Sequence, residues 1–504
     1  MKLSMEPALW NVREGQSAVL SGFVLVLLFA LCLLFLRRQP KLRLPPRPFP
    51  SLPLLGDVLH FREYRRTLSL DSLRRMLGPI FTLYVGNMPI IYVTSAALAH
   101  EALIEKGALF AARPRLPTNT IFNNNFRTIS SATYGHHWRI MRRNLVQEMM
   151  SISKIRSFKT IRQKVADDLL AHIASESRQN GGFVSLYPNL RMAMFQLLLV
   201  ICFGFEFSQD AAQQVSSFID EMLKMALGSL LSFFPLLRVF SRNRRKQVLA
   251  LRAREVQMHV SHIEKHKELA KLGELVAGSY LETLLHMDAG TNLSTEDLVS
   301  LCTEFLVGGI DTTVTTLEWA MACLIADPQI QDKLYAEIHD RVGDRHVEET
   351  DLPNLPYLQA VVKETLRLHP PGHVVLPHAV SEPCKLGGFD IPTNAIVQFH
   401  IVSISRDDTI WDEPLKFKPE RFLVSDVDIT GTKQVKMIPF GAGRRICPGL
   451  GLASIHLELL IARLVQKFSW TNAAGNPLDL AEKQVFTIRL KTPLRVLVQE
   501  RVTG

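Results

Sequence analysis

Hydrophobic positions along this chain change pattern several times. From Ser17 to Leu36 the sequence SAVLSGFVLVLLFALCLLFL carries no charge, which at about 20 residues is long enough to cross a bilayer as a helix. Arg37, Arg38, Lys41, Arg43 and Arg47 follow it, while the preceding stretch balances Lys2 and Arg13 against Glu6 and Glu14. That asymmetry predicts a retained signal anchor over 17–36, a short lumenal segment over 1–16 and a cytosolic bulk. The run PPRPFPSLP, from Pro45 to Pro53, makes residues 37–56 a basic, stiff hinge. Beyond it, FTLYVGNMPIIYVT (Phe81 to Thr94) places a Gly-Asn turn between two apolar runs and reads as a hairpin. Helical spacing dominates from Ala96 to about Leu368, and His369 to Phe422 mixes short strands and loops. A last long helix spans about Leu450 to Phe468, with strands near Val485 to Val498. No regular βαβ alternation appears, so residues 57–504 read as one large domain, mainly α with smaller β regions.

Composition narrows the class. Of 504 residues, 47% are hydrophobic and 21% charged, as in a folded chain able to bury a large core. The net charge of +10 is modest for this length and suits an acidic protein partner or an anionic membrane surface better than nucleic acid. The cysteines are scattered without a C-x-x-C pair, which argues against a disulfide framework or a structural zinc.

The most specific segment is PFGAGRRICPGLGLA, from Pro439 to Ala453. Cys447 sits in a Gly-rich loop, after Arg444 and Arg445 and before a helix. Cationic neighbours and helix-terminal amides favour the thiolate, the form that ligates metals. Gly443 and Gly449 let the backbone turn and aim N–H groups at the sulfur, and Phe440 shields that face. An inert buried cysteine and a nucleotide loop are the alternatives. Ile446 stands where a dinucleotide fingerprint needs its third small residue, and no Gly-Lys-Ser/Thr follows.

A second unusual stretch lies in a helix spanning about Thr295 to Ala326, whose start carries a capping-box pattern, Ser294 with Asp297. It contains Gly308-Gly309-Ile310-Asp311-Thr312-Thr313. Each interior glycine costs about 1 kcal/mol against alanine, which calls for a close approach by another group. The Thr312 hydroxyl is placed to bond the Gly308 carbonyl and open the helix locally. A helix–helix contact with a core threonine is the plainer reading.

Phe440-x-x-Gly443-x-Arg445-x-Cys447-x-Gly449 resembles the haem-binding loop of the cytochrome P450 family, and further segments match in the same order. The resemblance implies a cytochrome P450 fold holding haem b (iron protoporphyrin IX), with Cys447 as axial iron ligand and Phe440 and Gly441 beside it. It implies a buried structural network of Glu364 and Arg367, in PYLQAVVKETLRLHPP, with Arg421 of FKPERF. Trp138 and Arg142, one helical turn apart in YGHHWRIMR, would bind one haem propionate, with Arg445 as a further donor. Arg139 and Arg143 leave a solvated basic face as the alternative, and His136 and His137 read as ordinary surface histidines. His378 would serve the other propionate, standing where many members have arginine; Arg47 similarly replaces a usual hinge glycine. Thr312 would belong to the oxygen-binding groove, with Asp311 assisting proton delivery through water.

The implied activity is monooxygenation: one atom of O2 enters a lipophilic substrate and the other leaves as water. The chain holds no flavin or nicotinamide domain, so electrons would come from a separate NADPH–cytochrome P450 reductase, with cytochrome b5 as a further candidate, at the endoplasmic reticulum membrane. The implied pocket draws on residues 116–129, 222–237, 305–309 and 374–376 and on Phe486 to Ile488. Phe122, Phe126, Phe305, Gly308, Val374, Val375 and Phe486 line it, and Arg127 is the cation singled out for a carboxylate. GGIDTT, LGGFDIP and PGLGLASIHLELLIARLVQKFSW resemble plant microsomal enzymes that hydroxylate or epoxidise fatty acids within the chain. Oxidation of a phenolic or terpenoid is the second expectation, and a non-catalytic haem- or lipid-binding protein the rival of another class.

Overall fold

The computed structural model describes residues 42–48, 56–57, 67–115, 120–226, 242–287, 293–472 and 478–501. The expected anchor over 17–36, most of the hinge, and pocket residues 116–119 and 227–237 lie outside the described residues. Within the hinge, Pro46 and Pro45 carbonyls accept from the Thr82 N–H at 2.8 Å and its hydroxyl at 3.1 Å. The extended proline segment is thereby docked on the first hairpin.

The centre of the molecule is the Thr295–Ala326 helix, over the range its pattern predicts. Its start is a full capping box: Asp297 N–H donates to Ser294 Oγ, and Ser294 N–H to Asp297 Oδ2, both at 3.1 Å. The helix is apolar on most faces because it is packed on most faces. Leu186–Phe203, Pro356–Leu368 and Leu450–Lys467 all lie against it. Both Thr295–Ala326 and Leu186–Phe203 are long and apolar enough to cross a membrane. The most apolar window of each is 67% and 78% buried respectively, which makes them core helices.

The sheets are small. Ile80–Val85 and Met88–Val93 form the expected hairpin, in register from Ile80 opposite Val93 to Val85 opposite Met88. Ile396–Phe399 joins it in parallel, with Ile90 opposite Ile396. A second sheet orders Phe183–Ser185, Arg495–Glu500 and Phe468–Asn472. Two-stranded ribbons pair Cys384–Leu386 with Phe389–Ile391 and Glu482–Gln484 with Ile488–Leu490. The pattern misses Phe183–Ser185, a strand only because Val184 meets Val496 from the far end of the chain. The last helix also stops at Lys467, and Phe468 opens a strand.

Candidate active site

The cysteine loop closes on itself. Cys447 N–H donates to Phe440 O at 2.8 Å and Gly441 N–H to Ile438 O at 3.0 Å. Gly441 and Gly443 take φ of +71° and +67°, the left-handed region that glycine enters without strain. A Cβ on Gly443 would lie 1.9 Å from the Leu103 carbonyl, so no side chain fits there. Gly449, expected to be a second turn residue, has φ −84°; a Cβ there would lie 3.8 Å from Cys447 Sγ. Cys447 is exposed, yet deep enough that burial pushes its thiol pKa up against the opposing Gly449 N–H and Arg142 charge. Accessible and deep together mean that it lines an inward hollow. Phe440 packs against the main core beside it.

On the central helix, Thr312 Oγ1 donates to Gly308 O at 2.8 Å, as its spacing predicts. The helix nevertheless runs unbroken through these residues, so the bond is made without a local opening. The glycines have different reasons. A Cβ on Gly309 would stand 2.7 Å from Leu198 Cδ1, a helix–helix contact, whereas one on Gly308 would have nothing within 4 Å. Gly308 is thus an exposed point on a largely buried helix. Asp311 turns to the Leu186–Phe203 helix, where Arg191 Nε reaches its Oδ1 at 3.2 Å. Arg191 also donates to Asp220 Oδ1 and Ser216 Oγ, each at 2.6 Å.

A crowd of cations forms beside the cysteine loop. Arg445 donates to the carbonyls of Ala111 (2.8 Å), Ile129 (3.1 Å) and Ala132 (2.6 Å), and its guanidinium lies 4.5 Å from the Trp138 ring centre. Trp138 Nε1 donates to Ile129 O at 3.1 Å, and Arg142 Nη2 to Ile446 O at 2.6 Å. Arg113, which no sequence motif marked, donates to Ser130, Leu376 and Pro377 carbonyls. Burial and then Arg445 lower the Arg113 pKa to about 9; burial and then Arg142 lower that of Arg445 to about 10. Buried like charges that destabilise one another fit a bound dianion. His378 lies against the same cations. Its Nδ1 lies 2.6 Å from Phe110 O, and burial, Arg113 and Arg445 push its pKa down to about 3. A ring donating through Nδ1 braces the Phe110 backbone.

Below the loop the expected network is complete. Glu364 accepts from Arg367 Nε (2.6 Å) and Nη2 (2.8 Å) and from Arg421 Nε (3.0 Å). Arg367 also holds the carbonyls of Ser405, Pro414 and Lys416. With Glu364 and Arg367 fully buried, the pair is costly to break, and it ties the end of the Ile401–Ser405 helix to the loop that follows.

Among the pocket residues, Phe305 stacks on Tyr280 with ring centres 5.0 Å apart, and Phe122 packs on the main core. Phe126 is the last of three consecutive left-handed residues, Asn124 to Phe126. Val374 bridges to His400, Val375 lies near Gly441, and Phe486 sits at the turn of the Glu482–Gln484/Ile488–Leu490 ribbon.

A family model described as Cytochrome P450 matches residues 46–497. This chain belongs to the cytochrome P450 family. Cytochrome P450 89A9 of Arabidopsis thaliana is 37% identical over 487 residues, covering 91% of this chain and 94% of that one. Isoflavone 2'-hydroxylase of Glycyrrhiza echinata is 32% identical over 495 residues, covering 95% and 96%. A zebra fish cytochrome P450 structure with progesterone superposes at a TM-score of 0.75 with 27% identity, covering 86% of this chain and 99% of that one. The protein is a plant-type P450 monooxygenase whose cofactor is haem b.

The residues present fit that cofactor. Cys447 would supply the thiolate, its exposed sulfur and the open face at Gly308 leaving room for a flat group, and the Arg113, Arg142 and Arg445 cluster would hold two carboxylates. When bound through a thiolate, haem supplies activation of O2 for insertion of one oxygen atom.

Proposed function

We propose that this P450 hydroxylates a lipophilic aromatic plant metabolite of the phenolic class. The observation that carries this reading is the engagement of Arg127. Its Nε donates to Asp297 Oδ1 at 2.6 Å, beside Asn124 Nδ2 on the same oxygen at 2.8 Å. The cation singled out for a fatty-acid carboxylate is therefore already paired. Phe122, Phe126, Phe305 and Phe486 offer aromatic surface in its place. Isoflavone hydroxylases among the relatives support the same class.

In this reading Thr312, its proton held by Gly308 O, offers its hydroxyl oxygen as an acceptor at the exposed Gly308 face, and Asp311 with Arg191 links that point to Asp220, which is half exposed. Electrons come from an NADPH–cytochrome P450 reductase, with cytochrome b5 as a second donor, and the 17–36 segment anchors the enzyme in the endoplasmic reticulum membrane.

Substrate-binding difference spectra of the haem-loaded protein test the class. An isoflavone should shift the haem absorbance at micromolar concentration, and oleic and lauric acids should not. A shift with the fatty acids alone would return the assignment to in-chain hydroxylation or epoxidation.

A further inference from the structure

Two separate segments carry substrate-facing residues in the reading above: the stretch after the Pro356–Leu368 helix, with Val374 and Val375, and the Glu482–Gln484/Ile488–Leu490 ribbon, with Phe486 at its turn. One carboxylate joins them. Glu482 Oε2 lies 2.9 Å from His373 Nε2, and its Oε1 accepts from Arg406 Nη2 at 3.0 Å and stands 3.7 Å from His369 Nδ1. Arg406 in turn donates to the Leu368 carbonyl through Nε (3.1 Å) and Nη2 (2.5 Å), so it spans both segments. The ribbon is also registered on the central helix. Ile488 N–H donates to Pro371 O at 3.0 Å, Trp319 Nε1 to Ile488 O at 2.7 Å, and the Thr487 and Thr315 hydroxyls meet at 2.7 Å. Trp319 stacks on His369, with ring centres 3.9 Å apart and planes 2° from parallel.

We propose that Glu482 is a specificity-positioning residue, a clasp that sets the separation between Val374–Val375 and Phe486 across the substrate. The proposal rests on the reading that these residues line the pocket. Glu482 does not reach the reacting atoms; it acts through the segments it joins. Burial alone would raise its carboxyl pKa, but His369, His373 and Arg406 more than offset that and hold it well below the ordinary range. Such charge-assisted bonds are about twice as strong as neutral ones. Two oxygens serve three partners, and Glu482→Gln keeps the shape while removing the charge: its NH2 can face only His373, and Arg406 is left with a neutral acceptor.

The test uses full-length protein in microsomes, titrated spectroscopically with two iron-binding probes, imidazole and clotrimazole. Imidazole is too small to span the pocket, whereas clotrimazole touches its walls. Glu482→Gln should keep the reduced-CO thiolate spectrum and the imidazole affinity while weakening clotrimazole about tenfold, the scale of one lost charge-assisted bond. His373→Gln should do the same, and the double variant should add little, because both open one contact. His373→Gln alone carries the contrast if Glu482→Gln fails to take up haem. Equal changes for both probes, or none for either, would overturn the clasp. The contrast requires no knowledge of the natural substrate, so failure of the phenolic reading leaves it standing.

Discussion

Arg127 and Asp297 are joined at 2.6 Å across the entrance to the central helix, and the pair does two jobs at once. Asp297 closes the capping box with Ser294, and Arg127 ties the 120–131 stretch to that helix start. Burial would raise the Asp297 carboxyl, yet bonds from Arg127, Ser294 and Asn124 hold it below the ordinary range. Arg127→Gln should therefore act on structure rather than on acid recognition. It should lower thermal stability modestly and leave oleic acid and its methyl ester equally without a spectral shift. A shift with the free acid that Arg127→Gln abolishes, in difference-spectrum titrations, would show that Arg127 leaves Asp297 to bind substrate.

Glu364 and Arg367 make a different kind of pair, fully buried and shared with Arg421. Glu364→Gln leaves two guanidiniums without their counter-charge, a loss of about 3–5 kcal/mol. The expected outcome is little or no haem-loaded protein by the reduced-CO spectrum, with unaltered expression of the polypeptide. Normal haem content would contradict the bracing role.

Among the described residues the Thr312 hydroxyl bonds Gly308 O, within its own helix, so its removal should leave the fold intact. Thr312→Ala should retain haem and substrate affinity but lower product formed per NADPH consumed by about a hundredfold or more, the lower end of the range for a positioned group in proton transfer. Thr312→Ser should recover most of it. Product yield per NADPH, measured with hydrogen peroxide release, checks this.

Acid should destabilise the fold through its buried histidines. Burial holds His259, His400 and His456 at a pKa of about 3, against about 6.5 in the unfolded chain. Between those values the unfolded state binds the extra protons, so stability falls as pH drops through that window. Each histidine contributes about 1.4 kcal/mol per pH unit there. Urea midpoints at pH 7 and pH 5 should differ accordingly, and His456→Leu should reduce the difference.

Local chemistry was legible and long-range pairing was not. The capping box at Ser294, the hairpin turn at Gly86-Asn87 and the glycine-bound cysteine loop each depend on residues within a few positions of one another. The fully buried Glu364–Arg367 pair is local too, but its third member, Arg421, came from the family pattern alone. Arg113 carries no signature: an arginine before a proline is ordinary until Arg445 and His378 are folded against it. The partners of Asp311 and Arg127 likewise stand 120 and 170 residues away, and only the packing of a second helix and of the 120–131 turn against the central helix brings them together. The strand at Phe183 failed for the same reason.

The most direct test of the whole account is product identification from microsomes containing this P450, a plant reductase and NADPH, supplied with an isoflavone and oleic acid together. The account predicts a hydroxylated isoflavone, unaltered oleic acid, and loss of both product and the reduced-CO thiolate band in Cys447→Ser. Hydroxylated or epoxidised oleic acid with an untouched isoflavone would contradict the substrate class, and product formation surviving in Cys447→Ser would contradict the site itself.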